Sequence, residues 1–283
     1  MQDAFAHCEA LVRAADKDRF LATLFAPAEH RHGLFALYAF NIEVSRVREV
    51  VREPLSGEIR LQWWNEVLGG EGRGEVAANP VAAALAAAMT RYALPREQLA
   101  ALVEARRFDL YDEPMATLAA LDGYAEGTAS HLIALAAQIL NGGRDAGIGA
   151  LAHHAGLAYA IAGLLKALPT HAARGQLYVP VELLERHGAR RMDAPGGKAT
   201  PELRAALAEL RMIARRHLAK ARDLVAAAPP AVIPALLVLA PAAATLTRME
   251  RRDYEPFAPM EIAQWRRQWL IWRAARRPAR MFG

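Results

Sequence analysis

Apolar side chains recur three and four residues apart along most of the chain, the period of a helix with one buried face. The pattern predicts helices over 3–15, 29–51, 57–68, 79–93, 95–112, 117–142, 146–168, 200–228 and 261–276. Asn79 before Pro80 and Thr200 before Pro201 read as N-caps followed by proline in the first turn. Gly69-Gly70 and Asn141-Gly142-Gly143 read as stops. The one β-branched stretch, QLYVPV at 176–181, carries Pro180, which argues against a central strand. Stretches 129–140 and 155–168 are apolar nearly all round and should sit at the centre of the bundle. Their small residues (Gly156, Ala158, Ala160, Ala162, Gly163) suit either close helix approach or room for a long apolar ligand. The only clear loop, GARRMDAPGGKAT at 188–200, is too short for a domain linker, and no internal repeat is visible. The expected fold class is all-α, with residues 1–283 forming a single helical domain.

Composition changes this picture little. The chain has 283 residues, 54% of them hydrophobic and 23% charged, enough apolar material for a large core. A formal charge of +5 permits attraction to anionic lipid, diphosphates or nucleic acid without selecting among them. Dispersed arginines without a recognition motif speak against nucleic acid. One cysteine, Cys8, excludes an internal disulfide framework and a Cys-based zinc cluster and suits a reducing compartment. The acids Asp3, Glu9, Asp16 and Asp18 near the N-terminus are unlike a signal or transit peptide. Residues 229–246 are apolar but broken by Pro234 and Pro241, so a buried helix pair is expected there rather than a membrane span.

Four collinear stretches resemble the squalene/phytoene synthase family. They are RFLATLFAPAEHRHGLFALYAFNIEVSRVREVV at 19–51, IRLQWWNEV at 59–67, FDLYDEPMATLAALDGYAEGTASHLIALAAQIL at 108–140 and GLAYAIAGLLKALPTHAARGQLYVP at 156–180. The resemblance implies an all-helical bundle of the isoprenoid synthase type. It also implies head-to-head condensation of two prenyl diphosphates, driven by Mg²⁺ ions held between two D-x-x-x-D motifs on facing helices. Residues i and i+4 share a helix face, which is why that spacing lets two motifs grip hard, oxygen-seeking ions.

Carried onto this sequence, the first motif falls at Ser45 and Glu49, with Arg46 beside it. The second falls at Ala167 and His171. Residues 146–181 contain no Asp or Glu at all, so no shift of register restores the second motif. Neither alanine nor imidazole is a good Mg²⁺ ligand. Arg60, Arg174 and Tyr178 match family positions near the diphosphate or the second motif, and Lys166 replaces a family arginine. Tyr38 and Phe40 read as plain core or as the wall of an apolar tunnel. Asp109 and Asp112, three apart beside Pro114, read as a surface helix end; the rival reading makes them, with Glu49, a replacement set of acids.

The remaining constellations say less. His30/His32 and His153/His154 lack the i, i+4 spacing of a helical zinc site, and adjacent histidines diverge by about 100° on a helix, so no metal site is expected. The glycine-rich 69–74 stretch, with an acid in it, reads as a connector, not a phosphate loop. In the C-terminal helix, Ile262, Trp265, Trp269 and Trp272 form a stripe beside Arg266, Arg267 and Arg273. Tryptophan with arginine suits a membrane surface, but the preferred reading puts these tryptophans in the core.

Among family members, the segment 39–68 looks most like a branch related to an assembly factor for respiratory complex I, in which the acidic motifs are lost. The resemblance therefore implies a non-catalytic protein that needs no cofactor. Its partners would be complex I subunits or assembly intermediates, with an isoprenoid or lipid pocket retained. Its place would be cytoplasmic or peripheral to the inner membrane. The alternatives are an active prenyltransferase that uses Mg²⁺ through atypical ligands, and a metal-independent carrier of isoprenoids or quinones.

Overall fold

The computed structural model describes residues 1–51, 53–71, 78–193, 197 and 199–283. Parts of the 69–74 connector and of the 188–200 loop lie outside the described residues. Among the described residues no strand occurs, and the chain is a helical bundle. Its elements are α1 (Gln2–Ala15), α2 (Lys17–Thr23), α3 (Ala28–Ser45), α4 (Pro54–Gly69), α5 (Pro80–Tyr92), α6 (Arg96–Ala105) and α7 (Leu118–Ala125). They continue through α8 (His131–Leu140), α9 (Gly149–Lys166), α10 (Leu168–Ala173), α11 (Pro201–Val225), α12 (Leu239–Met249) and α13 (Gln264–Arg276).

The boundaries follow local chemistry. Asn79 Oδ1 accepts from the Val81 and Ala82 amides at 2.9 and 3.0 Å, and Thr200 Oγ1 accepts from Leu203 N at 3.2 Å, so both expected N-caps form. Gly70 closes α4 in the left-handed region at φ 77°. Three expected helices are interrupted. The 29–51 run stops at Ser45, whose Oγ donates back to the Ile42 carbonyl at 3.1 Å, and resumes as a single turn, Val47–Val50. The 95–112 run tightens into a 3₁₀ turn at Arg106–Leu110, and the 117–142 run widens into a π turn at Glu126–Ser130. Pro169, in the first turn of α10, ends α9, because its ring cannot continue the preceding hydrogen-bond ladder.

α3 is buried without interruption from Gly33 to Ile42 and packs between α1 and α5. α9 is the other axis; α8, α11, α12 and the π turn pack around it. The small residues of α9 meet different surroundings at different turns. A Cβ on Gly156 would lie 2.2 Å from Ser130 Oγ and 2.5 Å from the Ser130 backbone, so glycine there permits close approach of the π turn. A Cβ on Gly163 would meet nothing within 4 Å, because that turn borders open space.

Residues 229–246 fold as a short helix, Ile233–Leu236, followed by α12, with most of their apolar side chains buried. No described helix is long and apolar enough to cross a membrane alone; the pair Pro230–Leu236 and Leu239–Met249 has the composition but bends by 44°. The C-terminal helix departs from expectation. α13 buries Leu270, Ile271 and Ala274, whereas Trp265, Trp269 and Trp272 stand 70%, 47% and 48% exposed. The two sets are spaced to lie on different sides of one helix, and the smaller aliphatic set fits the bundle. Arg273 and Arg276 cover the rings of Trp269 and Trp272 at 4.5 and 5.2 Å.

Candidate functional site

A cleft of about 370 Å³ opens between the end of α3, the start of α2, the 3₁₀ turn, the π turn and the second half of α9. Of the residues singled out in the sequence, Ser45, Glu49, Ala167, His171, Arg174 and Tyr178 line it. The two degenerate motif segments thus face each other. Tyr38 is buried beneath the cleft, with Arg19 5.5 Å over its ring, and is not part of the lining. Phe40 is core, edge-on to Trp64 at 4.9 Å. Arg60 is exposed on α4 outside the cleft, and Lys166 borders a separate small pocket with Asp18 and Arg267.

The first motif pair straddles the helix break, Ser45 ending α3 and Glu49 lying in the next turn. Glu49 is held by arginines: Arg46 approaches at 3.6 Å from its own turn, and Arg174 reaches across from beyond α10 at 3.4 Å. A guanidinium therefore bridges the two segments directly. At the second motif, Ala167 brings no ligand atom. His171 packs against Tyr178 with ring centroids 4.5 Å apart and planes tilted by 43°. Burial lowers the His171 pKa below its ordinary value; Asp109 opposes the shift and Arg174 adds to it.

The centre of the cleft was misjudged from sequence. Asp109 is not a surface helix end but only 7% exposed. Its Oδ1 accepts from Tyr178 Oη at 2.6 Å and Tyr124 Oη at 2.9 Å, and its Oδ2 accepts from Arg106 Nη1 at 3.1 Å. Backbone pairing of the two flanking segments holds this constellation: Met115 N donates to the Leu177 carbonyl at 3.1 Å, and Val181 N to the Met115 carbonyl at 2.9 Å. The QLYVPV stretch is not a strand: it bends at Val179, and Pro180 caps the short helix Val181–Arg186. Burial, reinforced by the Asp109 charge, pushes the Tyr178 hydroxyl well above the usual phenol range, and burial does the same for Tyr124. Both remain donors. Asp112, by contrast, points outward to Arg48 at 3.5 Å.

A second buried ion pair lies on the opposite wall. Asp16 caps α2 through the Arg19 amide at 3.0 Å and binds the Arg19 guanidinium at 2.6 Å. Arg19 also donates to Tyr159 Oη at 3.2 Å. Burial raises the Tyr159 pKa to about 12. Sequence reading passed over Asp16, Arg19, Arg106, Tyr124 and Tyr159. A clue existed in Asp-Leu at 109–110, which opens the third family-like stretch ahead of a Tyr-centred helix.

Charge decides what this cleft can hold. Its lining carries five arginines (Arg19, Arg46, Arg48, Arg106, Arg174) against three carboxylates (Asp16, Glu49, Asp109), a formal excess of two positive charges. Each carboxylate is already engaged by at least one arginine. The residues present therefore do not fit the Mg²⁺ pair that the family pattern implies. Magnesium requires several free, hard oxygens, and the motif positions supply one carboxylate, already paired. Arg48 Nε and Arg106 Nε are buried and find no hydrogen-bond partner among the described residues, which suits a ligand with anionic oxygens.

Comparison with known proteins agrees with this architecture. The sequence profile of the squalene/phytoene synthase family matches residues 12–273. The human NADH dehydrogenase (ubiquinone) complex I assembly factor 6 is 30% identical over 253 residues, covering 89% of this chain and 76% of that protein. A presqualene diphosphate synthase from Sinorhizobium fredii is 26% identical over 239 residues, covering 84% of each. Among solved structures, squalene synthase HpnC from Alicyclobacillus acidocaldarius superposes with a TM-score of 0.77 at 24% identity, covering 90% of this chain and 96% of that one. A dehydrosqualene synthase in complex with ligand gives 0.78 at 17% identity, covering 96% and 95%. These two likenesses establish the fold.

Proposed function

Because the chain belongs to the squalene/phytoene synthase family, we propose that it is a member without prenyl-condensing activity that acts in the assembly of respiratory complex I. Its partners are complex I subunits or assembly intermediates. The observation that carries the first half is the Arg174–Glu49 pair, 3.4 Å apart, which spans the two segments that metal ions would have to bridge. The second half rests on likeness to complex I assembly factors, at 30% identity for the human protein. The cleft keeps a role as a pocket for an isoprenoid or lipid whose anionic head group meets Arg48 and Arg106. The exposed Trp/Arg face of α13 supports binding at a membrane surface, and in this reading that surface is the cytoplasmic side of the inner membrane.

The test of the assembly role is loss of the chain from its host. Assembled complex I and its NADH oxidation should fall together while other respiratory complexes persist. Unchanged complex I would overturn the proposal.

A second reading has one observation in its favour: Glu49 and Asp109 line the same cleft. In that reading the chain is a prenyltransferase with atypical metal ligands, close in chemistry to the presqualene diphosphate synthases it also resembles. It requires Asp109 to leave Arg106 and two tyrosines and Glu49 to leave Arg174. Glu49→Gln would abolish activity if this reading were right.

A further inference from the structure

Adjacent histidines on a helix point apart, yet His153 and His154 come together with a third. α11 runs alongside α9 and inserts His217 next to them. The ligand nitrogens of the three rings lie within 4.8 Å of one another. His154 Nδ1 and His217 Nδ1 are 3.1 Å apart. The ring centroids are separated by 5.0, 5.1 and 6.1 Å, with planes inclined by 61–63°, so the rings meet by their edges rather than stacking. A tetrahedral zinc ion with bonds of about 2.0–2.1 Å holds its ligand nitrogens roughly 3.3 Å apart, close to the 3.1 Å between His154 and His217, with His153 a small side-chain rotation away. A hydrogen bond between two neutral imidazoles accounts for His154 and His217, and His153 takes no part in it.

The surroundings suit a cation. Glu126 Oε1 lies 3.7 Å from His153 Nδ1, in the place of the carboxylate that commonly orients a metal-bound imidazole. Asp122 adds a second negative charge near His153, while Lys220, one turn beyond His217, opposes binding. All three histidines are partly exposed, which leaves access for the ion and for a water or an outside ligand at the fourth position. Nitrogen donors without thiolate select a borderline divalent transition ion over Mg²⁺ or Ca²⁺.

We propose that His153, His154 and His217 form a binding site for a divalent transition ion of the zinc class, with Glu126 orienting His153. The site stands apart from the proposed function and survives its failure. The two regions nonetheless share a wall, because Glu126 begins the π turn whose Thr128 and Ala129 line the cleft. π turns of this kind recur at functional sites.

The test uses the full chain, free of any purification tag and stripped with chelator. It is titrated with Co²⁺, followed by visible d–d absorption, and with Zn²⁺ in competition with a chromophoric chelator. One equivalent of Zn²⁺ should bind and raise the melting temperature. His154→Gln and His217→Gln should each weaken binding by more than about 100-fold and abolish the thermal shift, and Glu126→Gln should weaken it about tenfold. His7→Gln, at an exposed position on α1, should change nothing. Circular dichroism verifies that each variant is folded; if one is not, His153→Gln takes its place. Absence of saturable binding, or binding unaffected by loss of His154 or His217, would overturn the proposal.

Discussion

At the residue scale, Asp109 is the side chain on which the cleft is built. Its carboxylate is the common acceptor for Arg106, Tyr124 and Tyr178, and its main-chain carbonyl accepts from Gln176 Nε2 at 3.3 Å. Removing one partner of a buried pair strands the other charge, at a cost of about 3 kcal/mol. Asp109→Ala should therefore lower the melting temperature by roughly 6–12 °C, taking 2–4 °C per kcal/mol for a chain of this size. Asp109→Asn still accepts from both tyrosines but strands the Arg106 charge just as alanine does, so it should show most of the same loss. Small losses in both variants on thermal denaturation would show that the network contributes little. Such a residue was hard to find from sequence. Its spacing to Asp112 suggested a pair, but the two carboxylates diverge because the helix ends at Leu110 and Tyr111 is extended (φ −110°, ψ 149°), which carries Asp112 away from it. The residues absent from the second motif were legible, since an absence over 36 positions does not depend on packing.

At the element scale, periodicity located most helices, and capping residues located several ends. Periodicity missed the short helices α2, α10 and Val181–Arg186, and it missed changes of helix type inside apolar runs: the break after Ser45, the 3₁₀ turn at Arg106 and the π turn at Glu126. The three changes of helix type border the cleft, and none alters the spacing of apolar residues enough to be seen in a hydrophobic pattern. The two α9 glycines separate packing from function. Gly156→Ala forces its methyl into Ser130 and should cost about 1–3 kcal/mol as overpacking. Gly163→Ala meets open space and should instead stabilise α9 by about 0.5–1 kcal/mol through helix propensity alone. Denaturant midpoints of the two variants should move in opposite directions; a shared direction would contradict the assignment of close approach at one and cleft wall at the other. The face of α13 was the element misread. Sequence fixes which residues share a helix face, but not which face meets the bundle, and here Leu270, Ile271 and Ala274 take the inside.

At the scale of the whole molecule, a cationic cleft and a Trp/Arg face sit on one helical bundle. Exposed indoles with guanidinium groups over them suit the boundary between head groups and acyl chains. Replacing Trp265, Trp269 and Trp272 together by alanine should reduce co-sedimentation with vesicles containing anionic lipid by about tenfold, with neutral vesicles as the control. Unchanged sedimentation would remove the membrane from the account. The bundle has the fold of solved squalene synthases, and in the proposed function the direct Arg174–Glu49 pair stands where condensation would need metal-bridged acids. The measurement that tests this reading most directly is incubation of the purified chain with farnesyl and geranylgeranyl diphosphate, with and without Mg²⁺. Diphosphate release and condensed products would be followed beside an active squalene synthase. No Mg²⁺-dependent product is expected. Turnover that requires Mg²⁺ and disappears in Glu49→Gln would contradict this reading.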